Sequence, residues 1–279
     1  MITSEQKEYL LPKACNAAIR AGAAILDIYE SGAEVDVDIK SDHSPITQAD
    51  RDAHKVIREY LGQTRIPLLS EEGREMLYAE RKDWDLFWMV DPLDGTVEFL
   101  KGNGEFTVNI ALMTDNVPAF GVIYVPYRRR LYFSDCDRGA FRSCEIAADH
   151  NAEYGYYDLF AEAQQLPVTA KANDPIKIAV SRSHRNDETI RHIEKIIHAH
   201  PGAEIIEQGS SYKLCLIAEG TIDYYPRTTD TYEWDTAAGE AIIAKAGGSI
   251  EAIDGSGRLR YNKQQLHNPH FACRSKWFA

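Results

Sequence analysis

Apolar residues recur at helical spacing along residues 4–30, where Leu10, Ala14, Ala17, Ala21, Ala24, Ile25 and Ile28 share one face. That spacing predicts a long amphipathic helix. The pattern then changes to strict alternation in VDVDIK (35–40), which reads as a strand, and KSDHSPITQAD (40–50) reads as a turn. Thr47 stands where a helix N-cap belongs. A second helix is expected over Gln48–Leu61, with Ala49, Ala53, Val56, Ile57 and Tyr60 on one face. IPLLSEEG (66–73) reads as a short buried strand ending in two acids, and DLFWMVD (85–91) as a strand ending on Asp91. FTVNIALMT (106–114), AFGVIYVP (119–126) and RLYFSD (130–135) come next as strands with Pro and Asp punctuation, which suggests antiparallel pairing.

Residues 143–166 break the rhythm. They are polar and aromatic with weak periodicity, and read as a surface excursion between two halves. Strands and helices then alternate: KIAVSRSH, the helix DETIRHIEKIIHAH, the strand AEIIEQG, the helix SSYKLCLIAEG, the strand IDYYP, the helix WDTAAGEAIIAKAG and the strand GSIEAID. The expected fold is α/β overall, with an α+β N-terminal half over 1–145 and an α/β C-terminal half over 146–279.

Composition narrows the function. The chain has 279 residues, 44% hydrophobic and 27% charged, as an ordinary globular protein does. Its net charge of −12 repels phosphate at long range, so no nucleic-acid partner is expected and an anionic ligand needs local cations. The N-terminal MITSEQKEYLLPK does not resemble a signal peptide, and no apolar run is long enough for a transmembrane segment. Five scattered cysteines (15, 136, 144, 215 and 273) without CxxC suit reduced thiols in the cytoplasm, with loose attachment to the inner membrane face left open. The histidines show no zinc spacing. Oligomeric state is not readable.

Acids gather at element ends: Asp50 at a helix start, Glu71 and Glu72 after a strand, Asp91 and Asp94 around FWMVDPLDGTVEFLKG, and Asp235 at the start of another helix. Such positions face a common crevice, and carboxylates cluster there only when something neutralises them. Oxygen ligands of this kind select Mg²⁺ or Mn²⁺. Gly95 allows close backbone approach, and Thr96 opens a short helix whose free N–H groups suit a phosphate. Acids for metal beside amides for phosphate point to metal-assisted phosphoryl hydrolysis. Singly, each acid reads equally as a turn former or an N-cap.

Together, SEEG, VDPLDGTVEF and EWDTAAGEAI resemble, in order and spacing, the three signatures of the inositol monophosphatase superfamily of Mg²⁺-dependent, lithium-sensitive phosphatases. The resemblance covers nearly the whole chain. It implies a layered αβαβα sandwich with the active site between the halves. It implies two or three Mg²⁺ ions, with Mn²⁺ as a substitute and Li⁺ as an inhibitor. Glu71, Asp91 and the Leu93 carbonyl would hold one ion, and Asp91, Asp94 and Asp235 a second. Glu71 would also help with a third. Thr96, supported by Asp50, would orient and deprotonate the attacking water. The N–H groups of Gly95 and Thr96 would hold the phosphate.

Within the superfamily, NGEFTVNIAL, VSRSH, GSSYKLCLIAEG and DYYPR are similar to the bacterial CysQ type of 3'(2'),5'-bisphosphate nucleotidases. That branch implies a phosphatase removing the 3'-phosphate of 3'-phosphoadenosine 5'-phosphate during sulfate assimilation. Ser210, Ser211, Lys213 and Arg227 would meet the second phosphate and the ribose. Ser181, Arg182 and His184 would face the nucleotide across the crevice. TTDTY (228–232) departs from that branch, which has Gly-Pro-Thr there. Two alternatives stay open: an inositol or sugar-phosphate phosphatase of the same superfamily, and a non-catalytic nucleotide or metal sensor.

Overall fold

A computed structural model describes residues 2–32, 36–40, 44–143 and 145–278. Helix α1 (Ser4–Tyr29) carries the first apolar stripe. β1 (Val37–Ile39) and β2 (Pro45–Thr47) pair as an antiparallel hairpin. Part of what reads as a turn is therefore the second strand, while residues 33–35 and 41–43 of these segments lie outside the described residues. Thr47 caps α2 (Gln48–Gly62), its hydroxyl accepting from the Ala49 N–H at 3.1 Å.

The first sheet is built from β3 (Leu68–Ser70), β4 (Leu86–Asp94), β5 (Thr107–Thr114), β6 (Val117–Val125), β7 (Arg130–Asp135), β8 (Gly139–Ser143) and β9 (Ala163–Gln165), in that order. Among its described strands, β3 and β4 run parallel and the other neighbours antiparallel. Short helices α3 (Tyr78–Arg81), α4 (Thr96–Leu100) and α5 (Asp158–Ala161) lie in its connections.

The second sheet holds β10 (Lys177–Ser181), β11 (Glu204–Gln208), β12 (Tyr224–Arg227), β13 (Ser249–Ala252) and β14 (Phe271–Arg274), in the order β11-β10-β12-β14-β13. Helices α6 (Asp187–Ala199), α7 (Tyr212–Glu219) and α8 (Glu233–Lys245) connect it. The expected division fell near residue 145; the described strands of the first sheet run to Gln165 and those of the second begin at Lys177.

Alternate residues of β4 point to opposite sides of the sheet, and both sides are buried. Trp88 and Val90 join the core under α1 and α2. Phe87 and Met89 join a second core with Tyr212 and Leu214 of α7, Ala238 and Ile242 of α8, and Tyr225 and Phe271 of the second sheet. Ile178, Val180 and Tyr224 pack under Ile193 of α6. Five layers result, αβαβα, with α7 and α8 enclosed between two sheets.

The excursion is a docked segment. Asn16 of α1, 1% exposed, donates to the Tyr154 carbonyl at 3.0 Å and accepts from the Tyr154 N–H at 2.8 Å. Arg20 binds the Ala152 carbonyl, and Phe160 packs edge-on against Phe133 and Phe141. None of the described residues 145–163 lines the cleft between the sheets. Among the described residues, no helix is long and apolar enough to cross a membrane.

Candidate active site

Strand β4 does not stop at Asp91 as its hydrophobic pattern suggests. It continues to Asp94 through a bulge, in which Asp91 pairs with Asn109 and Asp94 with Thr107, so one extra residue is inserted. Pro92 has no N–H to give the ladder. The Leu93 N–H turns to the Asp91 carboxylate (3.1 Å) instead of to β5. Gly95 then adopts φ +95°, and a Cβ there would stand 2.9 Å from the Glu105 carbonyl oxygen. A side chain is excluded by both conformation and space. The bulge and the glycine turn bring Asp91, Leu93, Asp94, Gly95 and Thr96 to one cleft of about 440 Å³.

Glu71 reaches the cleft from the end of β3, and Asp235 from the first turn of α8. Asp235 Oδ2 accepts the Tyr232 N–H (2.9 Å), which closes the N-terminus of α8. Asp94 Oδ2 accepts both the N–H and the hydroxyl of Ser211. Among the described residues, these bonds leave the other carboxylate oxygens of Asp94 and Asp235 without an internal donor.

Asp50 lies behind the cleft wall, 1% exposed. Its Oδ2 accepts the N–H (2.7 Å) and hydroxyl (2.6 Å) of Thr47, and its Oδ1 accepts the Thr96 hydroxyl at 2.9 Å. Burial raises its pKa above the ordinary range despite these bonds.

Burial, followed by repulsion from Glu71, Asp94 and Asp235, pushes Asp91 well above the usual carboxylate pKa. Burial and then Asp94 and Glu71 do the same to Asp235. Acids crowded in this way are under-neutralised by the protein alone, and their oxygens are hard donors. The donor set fits Mg²⁺ or Mn²⁺. Among the described residues, no three of these side chains stand close enough together to cage an ion. Lys40, which no sequence motif singles out, reaches the same acids. Its ammonium donates to Glu71 at 2.7 Å and also to Glu72. Burial works to lower the pKa of Lys40, and the two glutamates outweigh it and raise it. Burial and the neighbouring Glu71 push Glu72 up to about 7.

Another part of the cleft wall is cationic. Lys213, 3% exposed, gives its ammonium to the carbonyls of Gln208 (3.1 Å) and Ser210 (2.6 Å). Burial, then the charge of Arg227, lowers its pKa to about 7. Arg227 ends β12 and is braced by the Thr229 and Asp230 carbonyls at 3.4 and 3.1 Å. His184, Ser181 and Ser210 line the same wall, and burial followed by Arg227 lowers the His184 pKa. The unusual Asp230 and Tyr232 of TTDTY also border the cleft.

Arg182 is placed differently from Ser181 and His184. It does not line the cleft among the described residues. Its Nε and Nη2 grip the two Glu105 oxygens at 2.9 and 2.8 Å, so its fork faces a carboxylate of this chain rather than a ligand. Ser211 borders the cleft, but its hydroxyl is engaged with Asp94 and the Asp235 carbonyl.

Fold and site define a layered α/β protein whose cleft holds both hard-metal donors and cations suited to phosphate. The chain belongs to the inositol monophosphatase family, whose profile matches residues 6–276. It is 40% identical over 255 residues to the 3'(2'),5'-bisphosphate nucleotidase CysQ of Buchnera aphidicola, covering 91% of this chain and 88% of the relative. It is 36% identical over 264 residues to the protein of that name from Escherichia coli K12, covering 94% and 98%. The crystal structure of CysQ from Bacteroides thetaiotaomicron superposes with a TM-score of 0.88 at 44% identity, over 96% of this chain and 98% of that one.

Proposed function

We propose that the protein hydrolyses the 3'-phosphate of 3'-phosphoadenosine 5'-phosphate, releasing AMP and phosphate, in sulfate assimilation. The observation that carries this reading is the double polarity of one cleft. Glu71, Asp91, Asp94 and Asp235 line it together with Lys213, Arg227 and His184. A simple polyol monoester has no use for the cationic set, whereas a nucleotide with two phosphates uses both sets. The relatives from Buchnera aphidicola and Escherichia coli K12 are named 3'(2'),5'-bisphosphate nucleotidases, which supports the reading.

Glu71, Asp91, the Leu93 carbonyl, Asp94 and Asp235 would hold Mg²⁺, two or three ions, with Mn²⁺ able to substitute and Li⁺ expected to inhibit. When bound, the ions acidify water and neutralise developing phosphoryl charge. The chain's own residues do the rest. The Thr96 hydroxyl donates to Asp50, so its lone pairs remain available to accept a proton from the attacking water. As that proton arrives, the hydroxyl proton passes to Asp50, whose raised pKa suits it to receive one. The water oxygen bonds to phosphorus, the P–O3' bond breaks, and the 3'-oxygen takes a proton from solvent. The Gly95 and Thr96 N–H groups steady the departing phosphate. Lys213 and Arg227 hold the 5'-phosphate and fix the ester against Thr96.

Phosphate release by purified protein with Mg²⁺, compared for 3'-phosphoadenosine 5'-phosphate, inositol 1-phosphate and fructose 1,6-bisphosphate, tests the substrate. The nucleotide should lead by orders of magnitude in kcat/KM. A polyol or sugar phosphate in the lead overturns the nucleotide reading and directs attention to 228–232. Asp91→Asn should abolish release, and retained activity overturns the site assignment.

A further inference from the structure

We propose that Arg182 and Glu105 form a positioning pair that holds Asp94 in its ion-binding orientation. This rests on the reading of Asp94 as a metal ligand, and extends it to residues outside the cleft.

The Glu105 side chain is 8% exposed. Its Oε2 accepts Arg182 Nε (2.9 Å) and the Gly209 N–H (2.7 Å), and its Oε1 accepts Arg182 Nη2 (2.8 Å). Burial works to raise its pKa, and the bonds from Arg182 and Gly209 outweigh it, so Glu105 is anionic at neutral pH. Arg182 also donates to the Glu207 carbonyl at 3.0 Å. The turn between β11 and α7 is thus gripped on both sides of Gln208, at Glu207 by Arg182 and at Gly209 by Glu105.

This grip reaches the cleft through the two serines after Gly209. A Cβ at Gly209 would meet Glu98 Cγ at 2.6 Å and Glu105 Cβ at 3.0 Å, so the turn lies directly on the 98–105 segment. Ser210 takes φ +48°, a left-handed conformation that a non-glycine residue holds only when its surroundings impose it. That conformation aims both the N–H and the hydroxyl of Ser211 at Asp94 Oδ2. Asn109 Nδ2 donates to the same hydroxyl at 3.0 Å, and the Asp235 carbonyl is its second acceptor at 2.9 Å, so the Ser211 N–H is the constant donor to Asp94. The chain of contacts runs Arg182, Glu105, Gly209, Ser211, Asp94. It ends by occupying one Asp94 oxygen, which leaves the other for an ion. Partners one step behind a ligand typically change metal affinity by about 10–100-fold when removed.

The test is Mn²⁺ binding to intact protein, followed by the loss of the free-ion electron paramagnetic resonance signal, alongside Mg²⁺-dependent turnover. Ser211→Ala, which removes a hydroxyl partner one step behind Asp94, should weaken Mn²⁺ binding by about 10–100-fold, and Glu105→Ala, further back in the same chain of contacts, by several-fold. Arg182→Met, a milder change at a half-buried side chain, should weaken it by several-fold. Glu105→Gln, which keeps a side-chain oxygen to accept from Gly209, should weaken it less than Glu105→Ala. Wild-type Mn²⁺ affinity in Arg182→Met and Glu105→Ala, with Asp94→Asn weakened, overturns the positioning role and leaves the ligand assignment standing. Wild-type affinity in Asp94→Asn overturns the ligand assignment and this proposal with it. Equal loss in Glu105→Gln and Glu105→Ala, with folding intact by circular dichroism, also overturns it.

Discussion

Replacing Lys213 by methionine removes one charge from the cationic wall while keeping most of the aliphatic stem. The ammonium lies between the Gln208 and Ser210 carbonyls, and its remaining hydrogen is the one available to a ligand. A charge-assisted hydrogen bond to phosphate is worth about 1.5–3 kcal/mol, or about 10- to 150-fold in affinity. The variant should therefore raise KM for 3'-phosphoadenosine 5'-phosphate by about 10- to 150-fold and leave kcat within a few-fold. For 3'-AMP, which lacks the 5'-phosphate, both constants should barely move. The pH profile adds a second check. With its pKa lowered to about 7, Lys213 is mostly neutral at pH 8, and binding a phosphate there requires it to take up a proton. Wild-type kcat/KM for the bisphosphate should fall by up to about tenfold per pH unit above 7. Lys213→Met should lose that slope. Equal damage to both substrates would refute the reasoning and make Lys213 a structural cation serving the turn.

Thr96→Val keeps the shape of the residue but cuts the link to Asp50, so kcat should fall by about 10²–10⁴-fold with KM little changed; single-turnover phosphate release measures it. Asp91 and Asp235 have folded pKa values raised well above their unfolded ones. The chelated protein is then most stable at low pH in this respect, and its Tm should drop as pH rises from about 4. Saturating Mg²⁺ should flatten the drop in scanning fluorimetry, and an identical slope with and without Mg²⁺ would contradict the repulsion argument. Trp88 is fully buried and its indole N–H donates to Thr64 at 3.1 Å; Trp88→Ala should cost about 3–5 kcal/mol in urea unfolding.

Helices α1 and α2 and strands β4 to β7 are legible in the sequence because each buries long apolar stretches whose period is unmistakable. The edge strand β9, Ala-Gln-Gln, is not, because an edge strand needs no hydrophobic face. Strand β14 escapes notice as a four-residue piece ending in arginine. Tertiary contacts, not local pattern, make both into strands. The docking of 145–163 leaves one faint signal: Asn16 and Arg20 stand four apart on a helix face otherwise buried, where polar groups require partners. At the site, the acids are readable because three spaced signatures carry them. Arg182 misleads because a basic residue after a strand looks the same whether it faces a ligand or a carboxylate. Only Glu105, distant in sequence, decides between them. Lys40 leaves no signal, since its partners arrive through the hairpin's fold.

Strand β14 sits inside its sheet, between β12 and β13. In order of synthesis, this separates the two halves of the molecule. All seven strands of the first sheet exist once Gln165 has been made, whereas the second cannot close until Phe271–Arg274 emerge. At about 5–20 residues per second on the ribosome, that interval lasts roughly 5–20 s. At its start, Phe87, Met89 and Ile123 lack the covering that α7, α8 and the second sheet provide, and the two helices are made before the sheet can close. The order of strands along the chain thus makes the second sheet the last part of the fold that can be completed.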